Sequence, residues 1–177
     1  MKFYITTFVA GNWGFSSLDN AIKHINSGIS DVELIVVNNP GGDISEYKKL
    51  TSAIDQLLLN HKVSIMFCGE IGSCASFLLG YSFANNSKNF SFDHAECTRI
   101  DFHKPRLVIS GAIKNTVEDD KYINDLVSDY SSMKQDDAIY CQQFYDVVEH
   151  FQGAQSAELA KTLFNSTNED FTYSIEL

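Results

Sequence analysis

Val32-Glu33-Leu34-Ile35-Val36-Val37-Asn38-Asn39-Pro40-Gly41-Gly42-Asp43 is the stretch on which the fold turns. Its first half is a nearly continuous apolar run, the pattern of a strand covered on both faces. Asn38 to Gly42 stops that run sharply, because Gly and Pro punctuate regular structure. A helix follows over Asp43–His61, where Ile44, Tyr47, Leu50, Ile54, Leu57 and Leu58 recur at three- and four-residue steps. The same alternation continues on both sides. Lys2–Ala10 reads as a strand, and Ser16-Ser17-Leu18-Asp19 opens a helix, with Ser as its cap, that runs to Gly28. Val63–Cys68 reads as a strand, Gly69–Gly72 as a turn and Cys74–Asn85 as an apolar helix. Lys88–Phe92 and Thr98–Phe102 read as short strands. Strands and helices in this order predict an α/β architecture.

After Pro105 the pattern changes to two amphipathic helices, over Val117–Met133 and Asp136–Phe151, and a short one over Ser156–Leu163. The whole is expected to be one domain: an α/β head over 1–112, a helical handle over 113–152 and a return segment over 153–177. The two helical stripes either cover a neighbouring copy or pack on their own domain.

Composition narrows the function classes. A chain of 177 residues, 44% hydrophobic, is long enough to bury a core without a disulfide or metal staple. Thirteen Lys and Arg against 23 Asp and Glu leave a net charge of -10, which disfavours nucleic acid and anionic lipid as partners. No apolar run has the length of about 18 residues that a membrane helix needs. The first ten residues read as a strand instead of an export signal. Cys68, Cys74, Cys97 and Cys141 form no CxxC pair, so reduced thiols and a cytoplasmic location are expected. Asp93, His94, Glu96 and Cys97 match no zinc spacing, so neither a metal nor another cofactor is expected.

Three short segments carry chemistry. Asn39-Pro40-Gly41-Gly42-Asp43 joins a strand to a helix, and its glycines leave backbone N–H groups uncovered beside a helix N-terminus. It is either a plain tight turn or a nest for an oxyanion or phosphate. Ser73, in Gly69-Glu70-Ile71-Gly72-Ser73-Cys74-Ala75-Ser76-Phe77-Leu78-Leu79, is either a helix cap or a nucleophile lifted above a sheet. Ser76 lies deeper in the helix and is the weaker candidate. His103, in Arg99-Ile100-Asp101-Phe102-His103-Lys104-Pro105, is either structural or a general base that faces the serine.

The order and wording of these segments resemble the ClpP family of serine peptidases. That family reads N-S-P-G-G at a strand end, G-x-A-A-S-M-G-A-F-L-L around its nucleophile and R-x-x-x-H-Q-P around its base. Asn39-Pro40-Gly41-Gly42, Gly69 to Leu79, and Arg99, His103 and Pro105 match those three in turn. The resemblance covers about residues 32 to 105. It implies a ClpP/crotonase-like fold of stacked ββα units with a C-terminal helical handle. It also implies a serine endopeptidase that hydrolyses peptides or unfolded proteins. Ser73 would be the nucleophile, His103 the base, and the N–H groups of Gly42 and Cys74 the oxyanion hole. The family's acid lies in a segment like D-x-x-[FYW]-[LMT]-[ST]-A, for which Glu169-Asp170-Phe171-Thr172-Tyr173-Ser174 is the match. Asp170 is then the triad acid; from the sequence it is equally readable as a solvated loop carboxylate. Homo-oligomerisation follows from the family. So would an ATPase partner, although this chain opens on its first strand where the family has an axial segment. Cys74 and Gly72 stand where the family has Met and Ala. A catalytically inactive scaffold or regulatory subunit is the alternative, and a crotonase-type thioester site a third.

Overall fold

The computed structural model describes residues 1–9, 17–103, 138–166 and 172–177. Six strands form one mixed sheet. β1 (Lys2–Ile5), β2 (Val32–Asn39) and β3 (Val63–Gly72) run parallel in that order. β4 (Phe90–His94) and β5 (Arg99–His103) both pair with β3 in parallel, β4 along its first half and β5 along its last residues. β6 (Thr172–Glu176) closes the far side, antiparallel to β5. The helices are α1 (Leu18–Ser27), α2 (Ile44–Leu57), α3 (Cys74–Ala84), α4 (residues 138–152) and α5 (Ala154–Ser166). The chain is therefore mixed α/β with a mostly parallel sheet. No described helix is long and apolar enough to cross a membrane. The helix expected over Val117–Met133, the boundary at residue 112 and Pro105 lie outside the described residues.

Several local expectations are corrected. β1 ends at Ile5, not Ala10, because Phe8 leaves the strand to form a single bridge with Gly42. β2 is not covered on both faces. Val32, Leu34 and Val36 are buried, while Glu33, Ile35 and Val37 are only half-buried, so the run packs on one side. The turn expected over Gly69–Gly72 belongs instead to β3, which bends there (Gly69 has φ +72°) and recovers its pairing at Ile71. Ser17 occupies the cap position of α1 without capping it. Its hydroxyl donates to the Tyr4 carbonyl at 2.8 Å and accepts from the Tyr4 N–H at 3.0 Å, which ties down the outer edge of β1. Thr172–Glu176 is a strand because Ile175 inserts into the core opposite Ile100.

The core runs as a chain of rings through the half of the molecule that holds the site. Tyr140 meets Phe77 at 4.9 Å between centroids, Phe77 meets Phe102 at 5.7 Å, Phe102 meets Phe144 at 5.0 Å and Phe144 meets Phe164 at 5.6 Å. Phe77 sits one helical turn past Ser73, and Phe102 immediately precedes His103. Packing of these two rings therefore sets where α3 starts relative to the end of β5. The Tyr47 hydroxyl donates to the Phe77 carbonyl at 3.4 Å and to Gln143 Oε1 at 3.3 Å, so α2, α3 and α4 share one buried polar contact. Burial raises the Tyr47 pKa well above its ordinary value, and the phenol stays a neutral donor. Removing a fully buried ring leaves a cavity. Phe102→Ala should cost about 3–5 kcal/mol, read as a lower midpoint in urea denaturation.

Candidate functional site

Ser73 stands between β3 and α3 with φ 57° and ψ -131°. A residue with a Cβ rarely occupies that region, and holding one there costs about 1–3 kcal/mol. The strain is not offset by capping, because the Ser73 side chain makes no cap hydrogen bond to α3. The turn is instead held by its backbone. Ser73 N–H donates to the Asp101 carbonyl at 3.1 Å, and its own carbonyl accepts from Ser76 N–H at 3.0 Å. The buried Ser76 hydroxyl donates to the carbonyls of Ile71 and Asp101 at 3.1 and 2.6 Å, so Ser76 is a brace and not an available nucleophile.

The Pro40-Gly41-Gly42 segment lies directly against this turn. At Gly41 (φ +93°) a Cβ would fall 2.3 Å from Ser73 Cβ and 2.9 Å from its hydroxyl oxygen. At Gly42 (φ +144°) it would fall 2.6 Å from the Phe8 carbonyl oxygen. Both glycines are thus required by contact as well as by dihedral angle. The segment's donors are divided. Gly41 N–H goes to Asn39 Oδ1 at 2.8 Å, and Asp43 N–H goes to the Phe8 carbonyl at 2.6 Å. The Asp43 carboxylate caps α2 by accepting from Ser45 N–H at 2.8 Å. Gly42 N–H points the other way, towards Cys74. The N–H groups of Gly42, Cys74 and Ala75 all lie close enough to the Cys74 sulfur to favour negative charge on it. Gly42 and Cys74, the donor pair expected from the sequence, thus both lie near the Cys74 sulfur. Burial nonetheless dominates and pushes that thiol up to about 12, so it is neutral at physiological pH.

His103 ends β5, half-buried. Gly72 pairs with Asp101, which brings Ser73 alongside the last residues of β5, since neighbouring strands lie about 4.8 Å apart. Alternation puts Arg99, Asp101 and His103 on one face and sends Ile100 and Phe102 into the core. Among the described residues the Ser73 hydroxyl makes no hydrogen bond, to His103 or to any other group. Catalytic hydrogen bonds are often open without substrate. Asp170 lies outside the described residues. Thr172, which follows it by two positions in the sequence, is the register partner of His103. Asp93, His94, Glu96 and Cys97 do not gather, and no group of three or more His, Cys, Asp or Glu among the described residues is placed to hold a metal.

Three contributors escape sequence reasoning. Asn39 is fully buried and donates to the Ile5 carbonyl at 3.1 Å while it holds Gly41, so it is the post on which the glycine segment hangs. Its neighbour Asn38 takes the left-handed region (φ 42°), and the sheet register shifts between Val37 and Asn39, which turns the Asn39 side chain inward. The third is Phe8, whose bridge to Gly42 anchors the other end. An Asn before Pro-Gly-Gly was the available signal for the first. Phe8 has none, because its partner is distant in sequence.

No protein-family model matches the chain, and no curated protein matches it in sequence. Two outcomes check the geometry. Gly41→Ala should displace the Ser73 turn and lower stability by about 1–3 kcal/mol in chemical denaturation. In the native protein at pH 9, a thiol alkylating reagent should modify exposed Cys97 and leave Cys74 intact. Because folding raises the Cys74 pKa, its contribution to stability is full below about pH 9 and is lost between pH 9 and about 12.

Proposed function

We propose that the chain is a serine hydrolase of ClpP-like type, with a ClpP/crotonase-like head, a helical handle and peptide bonds as its substrate. The observation that carries this reading is the strained, uncapped backbone of Ser73 at a strand-to-helix junction. A serine recruited only to cap a helix would sit in the extended region and accept a hydrogen bond from the first turn. This one does neither, which supports its reading as a nucleophile elbow.

On this proposal Ser73 Oγ attacks the scissile carbonyl and His103 takes its proton, then returns it to the leaving amine. Water deprotonated by the same imidazole releases the acyl group. Gly42 and Cys74 N–H would hold the tetrahedral oxyanion, worth about 3 kcal/mol for each donor. The Cys74 sulfur has to yield that position, which costs little because sulfur is a weak acceptor. Asp170 would orient the imidazole, and the chain leads from it through one residue into the partner of His103. Self-association of the subunits belongs to the same proposal, as does peptide or unfolded-protein substrate.

Two observations favour the alternative of an inactive scaffold. The Ser73 hydroxyl is not engaged by His103, and the Gly42 donor faces a thiol. A fluorophosphonate or β-lactone probe separates the two. The peptidase proposal expects covalent labelling at Ser73, none in Ser73→Ala, and a rate about 10²–10⁴-fold lower in His103→Ala. A folded protein that resists labelling leaves the scaffold.

A further inference from the structure

Asp101 joins more of the site than any other single residue. Its carbonyl accepts the Ser73 N–H at 3.1 Å and the Ser76 hydroxyl at 2.6 Å, which attaches β5 to the turn at Ser73. Its side chain faces the other neighbour. Oδ1 accepts from the Ser174 hydroxyl at 2.5 Å and from Arg99 Nε at 3.1 Å, and Arg99 Nη2 donates to the Ser174 oxygen at 3.3 Å. Asp101 and Ser174 are register partners across β5 and β6. One step further along the same face are His103 and Thr172, which are also partners.

Among the described residues β6 is the end strand of the sheet and pairs with β5 alone. Its side-chain ties to β5 are therefore unusually consequential. Ile175 anchors it in the core, but the residues on its other face are exposed. An exposed ion pair such as Arg99–Asp101 contributes little by itself. A short hydroxyl-to-carboxylate bond is stronger, because one partner is charged, and it acts across the strand pair. Its register leaves no freedom to slide, since a slip by one residue would turn Ile175 out of the core.

We propose that Asp101 is a positioning residue, and that the Arg99–Asp101–Ser174 clamp fixes β6 against the His103 end of β5. The proposal rests on the reading of Ser73 as nucleophile and His103 as its base. Asp101 itself touches no reacting atom. It holds the Ser73 turn through its backbone and the return strand through its carboxylate, so that one residue ties both neighbours of β5.

The test compares wild type, Ser174→Ala, Ser174→Thr and Asp101→Asn. Each is treated with a small fluorophosphonate to obtain kinact and KI, and hydrogen exchange is followed over residues 99–103 and 172–176. Ser174→Ala should lower kinact about 10- to 100-fold with KI unchanged, the scale expected for misplacing a catalytic group. Ser174→Thr should restore it, because the hydroxyl returns. Asp101→Asn should lower kinact as well. Exchange over 172–176 should quicken in Ser174→Ala and be native-like in Ser174→Thr. Wild-type kinact in both Ser174→Ala and Asp101→Asn, or unaltered exchange in Ser174→Ala, overturns the clamp while the nucleophile reading stands. Absence of labelling in the wild type overturns that reading instead, and the exchange result then decides the clamp by itself. Should Asp101→Asn fail to fold, the Ser174 pair carries the comparison.

Discussion

The backbone of Gly41 packs against Ser73 more closely than any side chain would permit, and the rest of the site is arranged around that contact. A hydrogen is the only substituent that fits between them. The approach forces the strand-to-helix turn into a costly conformation, and a costly conformation persists only where the surroundings determine it. Here four elements do so: Asn39 holds the glycine segment to β1, Phe8 bridges it, Asp101 fixes the Ser73 N–H, and the Phe77–Phe102 pair locks α3 to β5. Each is buried or hydrogen-bonded. Together they convert a local strain into a rigid local geometry.

The same geometry assembles donors. A glycine segment pressed against the N-terminus of a helix brings together N–H groups from two distant parts of the chain, where a helix end already favours negative charge. The Cys74 sulfur lies near them and remains a neutral thiol, because burial outweighs the donors.

Asp101 has a different place in this arrangement. The ring packing and the glycine contact define the side of β5 that faces β3. On the other side Ile175 enters the core and Tyr173 packs on Phe144, while Thr172, Ser174 and Glu176 face outward. A polar clamp on the exposed face of β6 adds to these contacts. It also explains why a carboxylate sits in a strand at all, where an apolar or β-branched residue would be the ordinary choice.

The sequence by itself determined the order of strands and helices, the glycine segment, and the candidacy of Ser73 and His103. These are local signals: periodicity, turn residues and residue type at a junction are legible within a dozen positions. It misjudged where strands stop, as at Ala10 and at Gly69, because a strand ends where its partner ends and not where its apolar run does. It also misjudged β2, whose six-residue apolar run conceals that only alternate residues are buried. Tertiary structure alone decided that Ser73 is strained instead of capping, that Asn39 and Phe8 hold the glycines, and that Asp101 clamps β6. Each of these depends on contacts between residues some 30 to 70 positions apart, and no pattern confined to one segment encodes a contact of that range.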